Sequence, residues 1–164
     1  MILDVSVNPP EHHYAHAALR HFEDAAFLHD RERLSNADHH FGFAVECALK
    51  SLLLRFTAAT MAPKKPGGRP PKSPWVRDPT TGKAAHTYSH LPWVSTDVAL
   101  LTHGRPANRL TAVLAGLTAF DTWSVDDRYL DGSNVLEADV QRRRNVAEDI
   151  LRLHEQALIT GRLP

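Results

Sequence analysis

The sequence predicts an all-α fold, an antiparallel bundle of about five helices that carries a long basic loop rich in proline and glycine. Apolar residues recur at spacings of three and four along four segments, which is the period of an α-helix. Neither strand-like alternation nor an internal repeat is visible. With 164 residues, 43% of them hydrophobic, residues 1–164 are predicted to form a single domain around one core.

The first predicted helix follows Pro9 and Pro10 and extends from about Glu11 to His29. Proline is well tolerated in the first turn of a helix but not in its interior. One apolar stripe is formed by Tyr14, Ala18, Phe22, Ala25 and Ala26. The charged turn at residues 30–33 is predicted to end this helix.

The second predicted helix extends from Ser35 to Phe56. Ser35 and Asp38 have the spacing of a capping box, in which side-chain oxygens accept hydrogen bonds from the first turn. A broad apolar face predicts that this helix is the most buried one: Phe41, Ala44, Val45, Ala48, Leu49, Leu52 and Phe56. Gly42 costs about 1 kcal/mol relative to alanine within a helix, which suggests that another helix crosses closely there.

The helical pattern stops in a basic segment at about residues 61–85, where nine prolines and glycines argue against regular structure. The whole chain is balanced at 19 basic and 19 acidic residues, but residues 61–83 hold six basic residues and one acidic residue. Four of these basic residues are candidates for nucleic-acid binding: Lys64, Lys65, Arg69 and Lys72.

The stretch KKPGGRPPK at residues 64–72 resembles an AT-hook, whose extended core lies in the minor groove of DNA. Gly67 stands where the first arginine of that core is expected. The alternative is a disordered, mobile basic linker with general affinity for phosphates.

Three further helices are predicted beyond this segment. A short one extends from His90 to about Leu101, and Gly104 separates it from another that extends from Pro106 to about Phe120. A polar connection at residues 123–133 leads to the last helix, from Leu136 to Thr160. The apolar stripes of the two longer helices are Leu110, Val113, Leu114, Leu117 and Phe120, then Val140, Ala147, Ile150, Leu151, Ala157 and Leu158.

Composition argues against several classes of protein. No apolar run approaches the roughly 20 residues of a membrane-spanning helix, and the N-terminus lacks the pattern of a secretory signal. Cys47 is the only cysteine, so an intrachain disulfide and a four-cysteine zinc site are excluded. We therefore expect a cytoplasmic protein without membrane contact. No cofactor-binding motif is present, because Gly67 and Gly68 are flanked by proline rather than followed by Lys-Ser or Lys-Thr.

Residues 33–50 read RLSNADHHFGFAVECALK. The flanking pieces are YAH at 14–16, FEDA at 22–25, HLP at 90–92 and WSVDDRY at 123–129. Taken in this order, the pieces resemble HEPN-domain proteins, in which a helix of the form NA…G.A.E..LK follows a charged turn. The resemblance covers most of the chain apart from the basic segment.

The resemblance implies a helical bundle, commonly a homodimer, that works with RNA or nucleotides. Some members are similar to toxins that cut RNA without a metal. Others are inactive partners of small nucleotidyltransferases or parts of prokaryotic toxin–antitoxin and defence systems. Catalytic members carry an arginine followed a few residues later by a histidine, usually on a late helix.

The last predicted helix reads RRRNVAEDI at residues 142–150 and has no histidine at the family's spacing. The resemblance therefore favours a module that is not strongly catalytic. Arg33 with His39 or His40 does have the spacing, which suggests as an alternative a metal-independent ribonuclease toxin that uses histidine as general acid or base. A third hypothesis is an interaction protein that binds DNA through its basic segment.

Glu46 and Lys50 are four residues apart, in the order that favours an ion pair on a helix. Because their helix is apolar around most of its circumference, Glu46 is predicted to be partly buried and to need a partner. Arg128 is a candidate partner that would hold the connection from Trp123 to Tyr129 against the bundle. The alternative is an exposed pair with Lys50 that contributes little to stability.

The chain contains eleven histidines. His12 and His16 share a helix face and could ligate zinc, but no third ligand is evident beside them. His39 and His40 point about 100° apart on a helix and so chelate poorly together. We expect solvated or capping histidines and no metal site.

Overall fold

A computed structural model describes residues 8–93, 95–104 and 109–164. Within these ranges the protein is mostly helical, with five α-helices: α1 Pro10–His29, α2 Leu34–Phe56, α3 Ser95–Thr102, α4 Arg109–Ala115 and α5 Glu137–Thr160. Two 3₁₀ helices occupy Gly116–Phe120 and Val125–Tyr129, and two strands form β1 Trp75–Arg77 and β2 Ala84–Thr87. The helix start predicted at Pro106 lies outside the described residues.

Helix α2 packs against both α1 and α5. Its broad apolar face is buried, and Phe41, Val45 and Leu49 have no solvent-exposed area. Among the described helices α2 has the most buried residues, as predicted. The hydrophobic core is completed by α1, by α5 and by the first 3₁₀ helix, which contributes Leu117 and Phe120.

The start of α2 differs from the prediction. Arg33 is the N-cap residue, without a side-chain capping bond, and Ser35 lies inside the helix. Asp38 is buried and binds Arg143 instead, because a guanidinium is a stronger partner for a carboxylate than a backbone amide. The predicted capping box of Ser35 and Asp38 is therefore wrong. A capping box does occur at the second 3₁₀ helix, formed by Ser124 and Asp127.

The basic segment contains two short strands, so the prediction that residues 61–85 lack regular structure is wrong there. Strands β1 and β2 pair antiparallel, with Trp75 opposite Thr87. Trp75 is fully buried, exchanges backbone hydrogen bonds with Thr60, and donates from its indole Nε1 to the carbonyl of Ala62 at 2.8 Å. The prolines lie outside the two strands, so their missing amide donors do not interrupt the pairing.

The region after β2 also differs from the prediction. Residues 90–93 are not helical, and the peptide bond between Leu91 and Pro92 is cis. Tyr88, Leu91 and Trp93 insert into the core, so helix α3 begins only at Ser95. The predicted helix ending near Phe120 changes from α4 to a 3₁₀ helix at Gly116–Phe120. No helix in the described ranges is long and apolar enough to cross a membrane.

Candidate functional site

Five side chains form a histidine–aromatic cluster on one side of α1 and α2: His21, His39, His40, Phe43 and Trp123. The extensive packing of α1 against α2 places His21 beside His40. His39 and Phe43 are four residues apart on α2, so they share a helix face. Trp123 reaches the same face from the connection after the first 3₁₀ helix.

The histidines of the cluster contact one another and the aromatic rings. The Nδ1 atoms of His21 and His40 are 3.0 Å apart, so one of them carries a proton and the other accepts it in a hydrogen bond. The ring of His39 stacks on Trp123 with 5.7 Å between ring centroids. The same ring meets the Phe43 ring edge-on, with centroids 4.6 Å apart.

Trp123 forms the buried side of the cluster. Its side chain is buried, and its Nε1 donates to the carbonyl of Asp38 at 3.1 Å. The indole lies over Gly42 so closely that a Cβ atom on residue 42 would overlap it. The close neighbour of Gly42 is therefore this ring, and the prediction of a crossing helix at Gly42 is wrong.

Burial and neighbouring charges keep two of the imidazoles neutral near pH 7. Burial lowers the pKa of His21 below its usual value, and the charges of His40 and Arg20 lower it further. Burial also lowers the pKa of His39, with added effects from His40 and Arg128. Each neutral ring offers one donor and one acceptor. The Nδ1 atom of His39 is buried without a hydrogen-bond partner in the part of the chain that the structure describes.

Exposed cationic and aromatic groups border the cluster. Arg20 and Arg128 are both exposed and act electrostatically on His21 and His39, respectively. The Arg128 guanidinium lies 4.7 Å from the ring centroid of Tyr129, whose side chain is 74% exposed. The border therefore combines two arginines with a flat surface on which another ring can stack, while Asp24 and Asp127 act on the two histidines with the opposite sign.

Arg33, the predicted catalytic partner of His39 or His40, lies at the N-cap of α2 and is exposed. The contacts of the two histidines in the described ranges are with each other, His21, Phe43 and Trp123. No contact there joins either histidine to Arg33. Among the charged residues that act on His39, Arg128 lowers its pKa, whereas Asp127 and Asp38 raise it.

Glu46 is buried as predicted, and it forms the ion pair with Lys50 that the spacing favours, although this pair is buried rather than exposed. Lys50, also buried, donates from Nζ to Glu46 Oε1 at 2.7 Å. The backbone amide of Leu91 donates to Oε2 at 3.1 Å, and His90 Nδ1 lies 3.1 Å from Oε1. Arg128 is exposed and stacks on Tyr129, so the predicted Glu46–Arg128 pair is wrong. Glu46 instead fixes the backbone that follows β2.

Sequence reasoning missed an ion pair between α2 and α5. The Arg143 guanidinium binds the carboxylate of Asp38, and both side chains are buried. Burial raises the pKa of Asp38, although the bond to Arg143 and its charge oppose that shift. One signal was available: three consecutive arginines cannot all face solvent on a helix that packs against a core.

The arginine next to this pair meets a histidine from another helix. Arg144 Nη1 donates to Asp30 at 2.7 Å and to His29 Nδ1 at 3.1 Å. Because a guanidinium only donates, His29 Nδ1 accepts, and the ring proton lies on Nε2, which donates to Glu137 at 2.8 Å. Both nitrogens of His29 are thus engaged, so this group is not a free base.

The basic segment lies exposed along the approach to β1. Lys64, Lys65, Arg69 and Lys72 are all exposed. Lys64 Nζ donates to Thr87 Oγ1 at 2.8 Å, and the hydroxyl of Tyr14 lies 3.4 Å from the carbonyl of Lys72. These contacts attach the segment to β2 and α1.

No group of three or more potential metal ligands occurs among residues 8–93, 95–104 and 109–164. Cys47 is half-buried, and burial raises the pKa of its thiol to about 11, which fits a packing role. Comparisons of the chain with family models, curated proteins and solved structures gave no match. The resemblance to HEPN proteins therefore depends on the sequence pieces quoted above and stays a prediction.

Proposed function

We propose that this protein is a HEPN-like helical module that binds RNA or nucleotides at the histidine–aromatic cluster and is not itself strongly catalytic. The observation that carries the proposal is the convergence of three histidines on a half-buried aromatic surface between Arg20 and Arg128. Arginine side chains bind phosphates, and unpaired bases stack on aromatic rings and on guanidinium planes. The stacked pair of Arg128 and Tyr129 offers both groups at one edge.

Two arginines of α5 support the proposal that the protein is not strongly catalytic. Arg143 is buried in its pair with Asp38, and Arg144 is held by Asp30 and His29. Neither arginine is therefore free to stabilise a developing charge on a substrate phosphate.

The proposed setting is a prokaryotic toxin–antitoxin or defence system, and it follows from the resemblance alone. The proposal includes a homodimer and a protein partner such as a nucleotidyltransferase. Exposed apolar side chains outside the cluster support a protein contact, with Phe27 56% exposed and Ile159 78% exposed.

A second candidate function is metal-independent cleavage of RNA, favoured by the contact between His21 and His40. One neutral imidazole would take the proton of a ribose 2′-hydroxyl, whose oxygen attacks the adjacent phosphorus. A protonated imidazole would give its proton to the departing 5′-oxygen. Arg128, whose charge reaches His39, would take the place predicted for Arg33.

A third candidate is DNA binding through the basic segment. The exposure of Lys64, Lys65, Arg69 and Lys72 favours it, because solvent-facing cations bind phosphates by releasing counterions. Their attachment to β2 and α1 would present them on a defined surface.

The test measures binding of a fluorescein-labelled single-stranded RNA by fluorescence anisotropy. We expect Arg128→Gln and His40→Gln to weaken binding about tenfold each, equivalent to about 1.4 kcal/mol. Matched controls are Arg142→Gln and His13→Gln, which change exposed residues away from the cluster and should leave affinity within about twofold.

The same samples separate the candidates. RNA fragments that accumulate in the presence of a chelator and disappear with His40→Gln would favour the ribonuclease. Binding to duplex DNA that is lost when the four basic residues are replaced by alanine would favour the third candidate. Equal loss of RNA affinity in the cluster variants and their controls, or no RNA binding, would overturn the proposal.

A further inference from the structure

A groove of about 610 Å³ lies between α1, the end of α2 and α5. Its lining shares no residue with the histidine–aromatic cluster. The walls are mainly apolar: Ala15, Leu19, Phe22, Leu151 and Leu158. Leu19 and Leu158 stay 54% and 38% exposed, so the groove is open to solvent. A volume of this size is typical of sites for small molecules.

Arg55 brings a positive charge into this apolar lining. Its Nε atom is buried, and among the described residues it has no hydrogen-bond partner. A buried donor without a partner costs about 1–3 kcal/mol, and more when it belongs to a charged group. The Arg55 side chain as a whole lines the groove, so an acceptor that enters the groove can pair with the guanidinium charge.

The acidic residues of the groove lining, Glu148 and Glu155, form no ion pair with Arg55. Glu148 binds Arg152 at 3.0 Å, and the side chains of this pair are 48% and 61% exposed. Glu155 is exposed. The carboxylates therefore lie towards the rim, where one of them is already paired with a cation.

His154 is a neutral member of the lining. Ser51 Oγ donates its only hydrogen to the carbonyl of Glu11 at 3.0 Å, so it accepts from His154 Nε2, which lies 2.9 Å away. The ring thus carries its proton on Nε2, and Nδ1 has a free lone pair. Burial, aided by the charge of Arg55, lowers the pKa of His154 to about 4. The fixed positive charges of the lining are therefore Arg55 and Arg152, and Arg152 is paired with Glu148.

From these contacts we infer that the groove binds a small organic anion with an apolar body, such as a medium-chain carboxylate. Its charged group meets Arg55, and its hydrocarbon part packs against Leu19, Phe22 and Leu151. Charge complementarity to Arg55, which has no ion pair among the described residues, identifies the head group, and the apolar walls identify the body. This inference is independent of the function proposed above.

The test uses anilinonaphthalene sulfonate, an apolar anion whose fluorescence rises in an apolar site. We expect saturable binding, with decanoate displacing the probe at a concentration about tenfold lower than decanol, which has the same chain length but no charge. Arg55→Gln should weaken probe and decanoate binding about tenfold. The matched control Arg142→Gln removes an exposed, paired cation that does not line the groove, and it should change affinity less than about twofold.

Circular dichroism melts of each variant ensure that the probe reports on folded protein. Arg55→Lys keeps the charge and should retain most of the affinity, which separates charge recognition from damage to folding. Equal displacement by decanol and decanoate, or equal effects of Arg55→Gln and Arg142→Gln, would overturn the inference. If no saturable binding is seen and Leu158→Glu converts a dimer to a monomer, the groove binds a second copy of the chain and the inference is overturned.

Discussion

Gly42 leaves room for the Trp123 ring and therefore determines the buried side of the histidine–aromatic cluster. The indole occupies the space where any other residue would place its Cβ atom. Glycine lowers helix stability by about 1 kcal/mol relative to alanine. Burial of Trp123 and its hydrogen bond to the carbonyl of Asp38 offset that cost.

Gly42→Ala should lower the free energy of unfolding by about 1–3 kcal/mol, even though alanine is the better helix former. The added methyl group overlaps the Trp123 ring, which must move away from Asp38 and His39. Urea denaturation followed by circular dichroism measures the change. In the control Gly116→Ala, the new Cβ lies 3.3 Å from a methyl group of Val146, so a smaller loss is expected. A more stable Gly42→Ala protein would contradict this account.

Arg143 joins three elements of the fold. From α5 it binds Asp38 on α2, donates from Nε to the carbonyl of Ala119 at 2.9 Å, and donates from Nη2 to Thr122 at 2.8 Å. Each of the three guanidinium nitrogens thus makes a hydrogen bond, which lowers the cost of burying the charge. The pair aligns α2 and α5 and also fixes the connection that carries Trp123.

Asp38→Ala should destabilise the fold by about 3–5 kcal/mol, because it leaves the Arg143 charge buried without a counter-charge. The double variant Asp38→Leu with Arg143→Leu should lose less, since it buries no charge. Thermal and urea unfolding of Asp38→Leu, Arg143→Leu and the double variant give the coupling energy. Arg142→Ala is the control: its side chain is 58% exposed, and its loss should cost less than about 1 kcal/mol. Equal losses for Asp38→Ala and Arg142→Ala would show that the pair contributes little.

The long helices were predictable from local spacing. The predicted bounds of α1, α2 and α5 agree with the observed ones to within a residue, because each helix buries one face and repeats apolar residues at the helical period. The strands β1 and β2 were not predictable, because they are short and depend on contacts of the buried Trp75 with residues that are distant from it in the sequence. The conformation of residues 90–93 was not predictable either, because contacts with Glu46 and the core determine it.

The candidate site was only partly predictable. Its sequence signal lay in His39 and His40, which the resemblance placed on the second helix. Their partners come from elsewhere: His21 is 19 residues before His40, and Trp123 belongs to a connection predicted as polar. Arg143 bonds across 105 residues to Asp38. Contacts over such separations are decided by the packing of whole helices, which residue spacing does not encode.

Histidines that are kept neutral by burial couple the stability of the whole protein to pH. For His154 the folded-state pKa of about 4 lies below the ordinary value of 6.5, so the unfolded chain binds more protons between these two values. Its contribution is therefore fully present above pH 6.5 and is lost as the pH falls towards 4. The pKa values of His21 and His39 are lowered as well, so these residues act in the same direction.

Lowering the pH from 7 to 5 should therefore remove about 2 kcal/mol from the free energy of unfolding through His154 alone. His154→Gln keeps a donor for Ser51 but does not titrate. Between pH 7 and pH 5 the free energy of unfolding of this variant should therefore fall by about 2 kcal/mol less than that of the parent protein. Urea denaturation at several pH values measures both curves. His13→Gln, an exposed histidine on α1, is the control and should follow the parent protein. If His154→Gln retained the full acid sensitivity of the parent, the loss would have to come from other groups, and His154 would titrate normally in the folded protein.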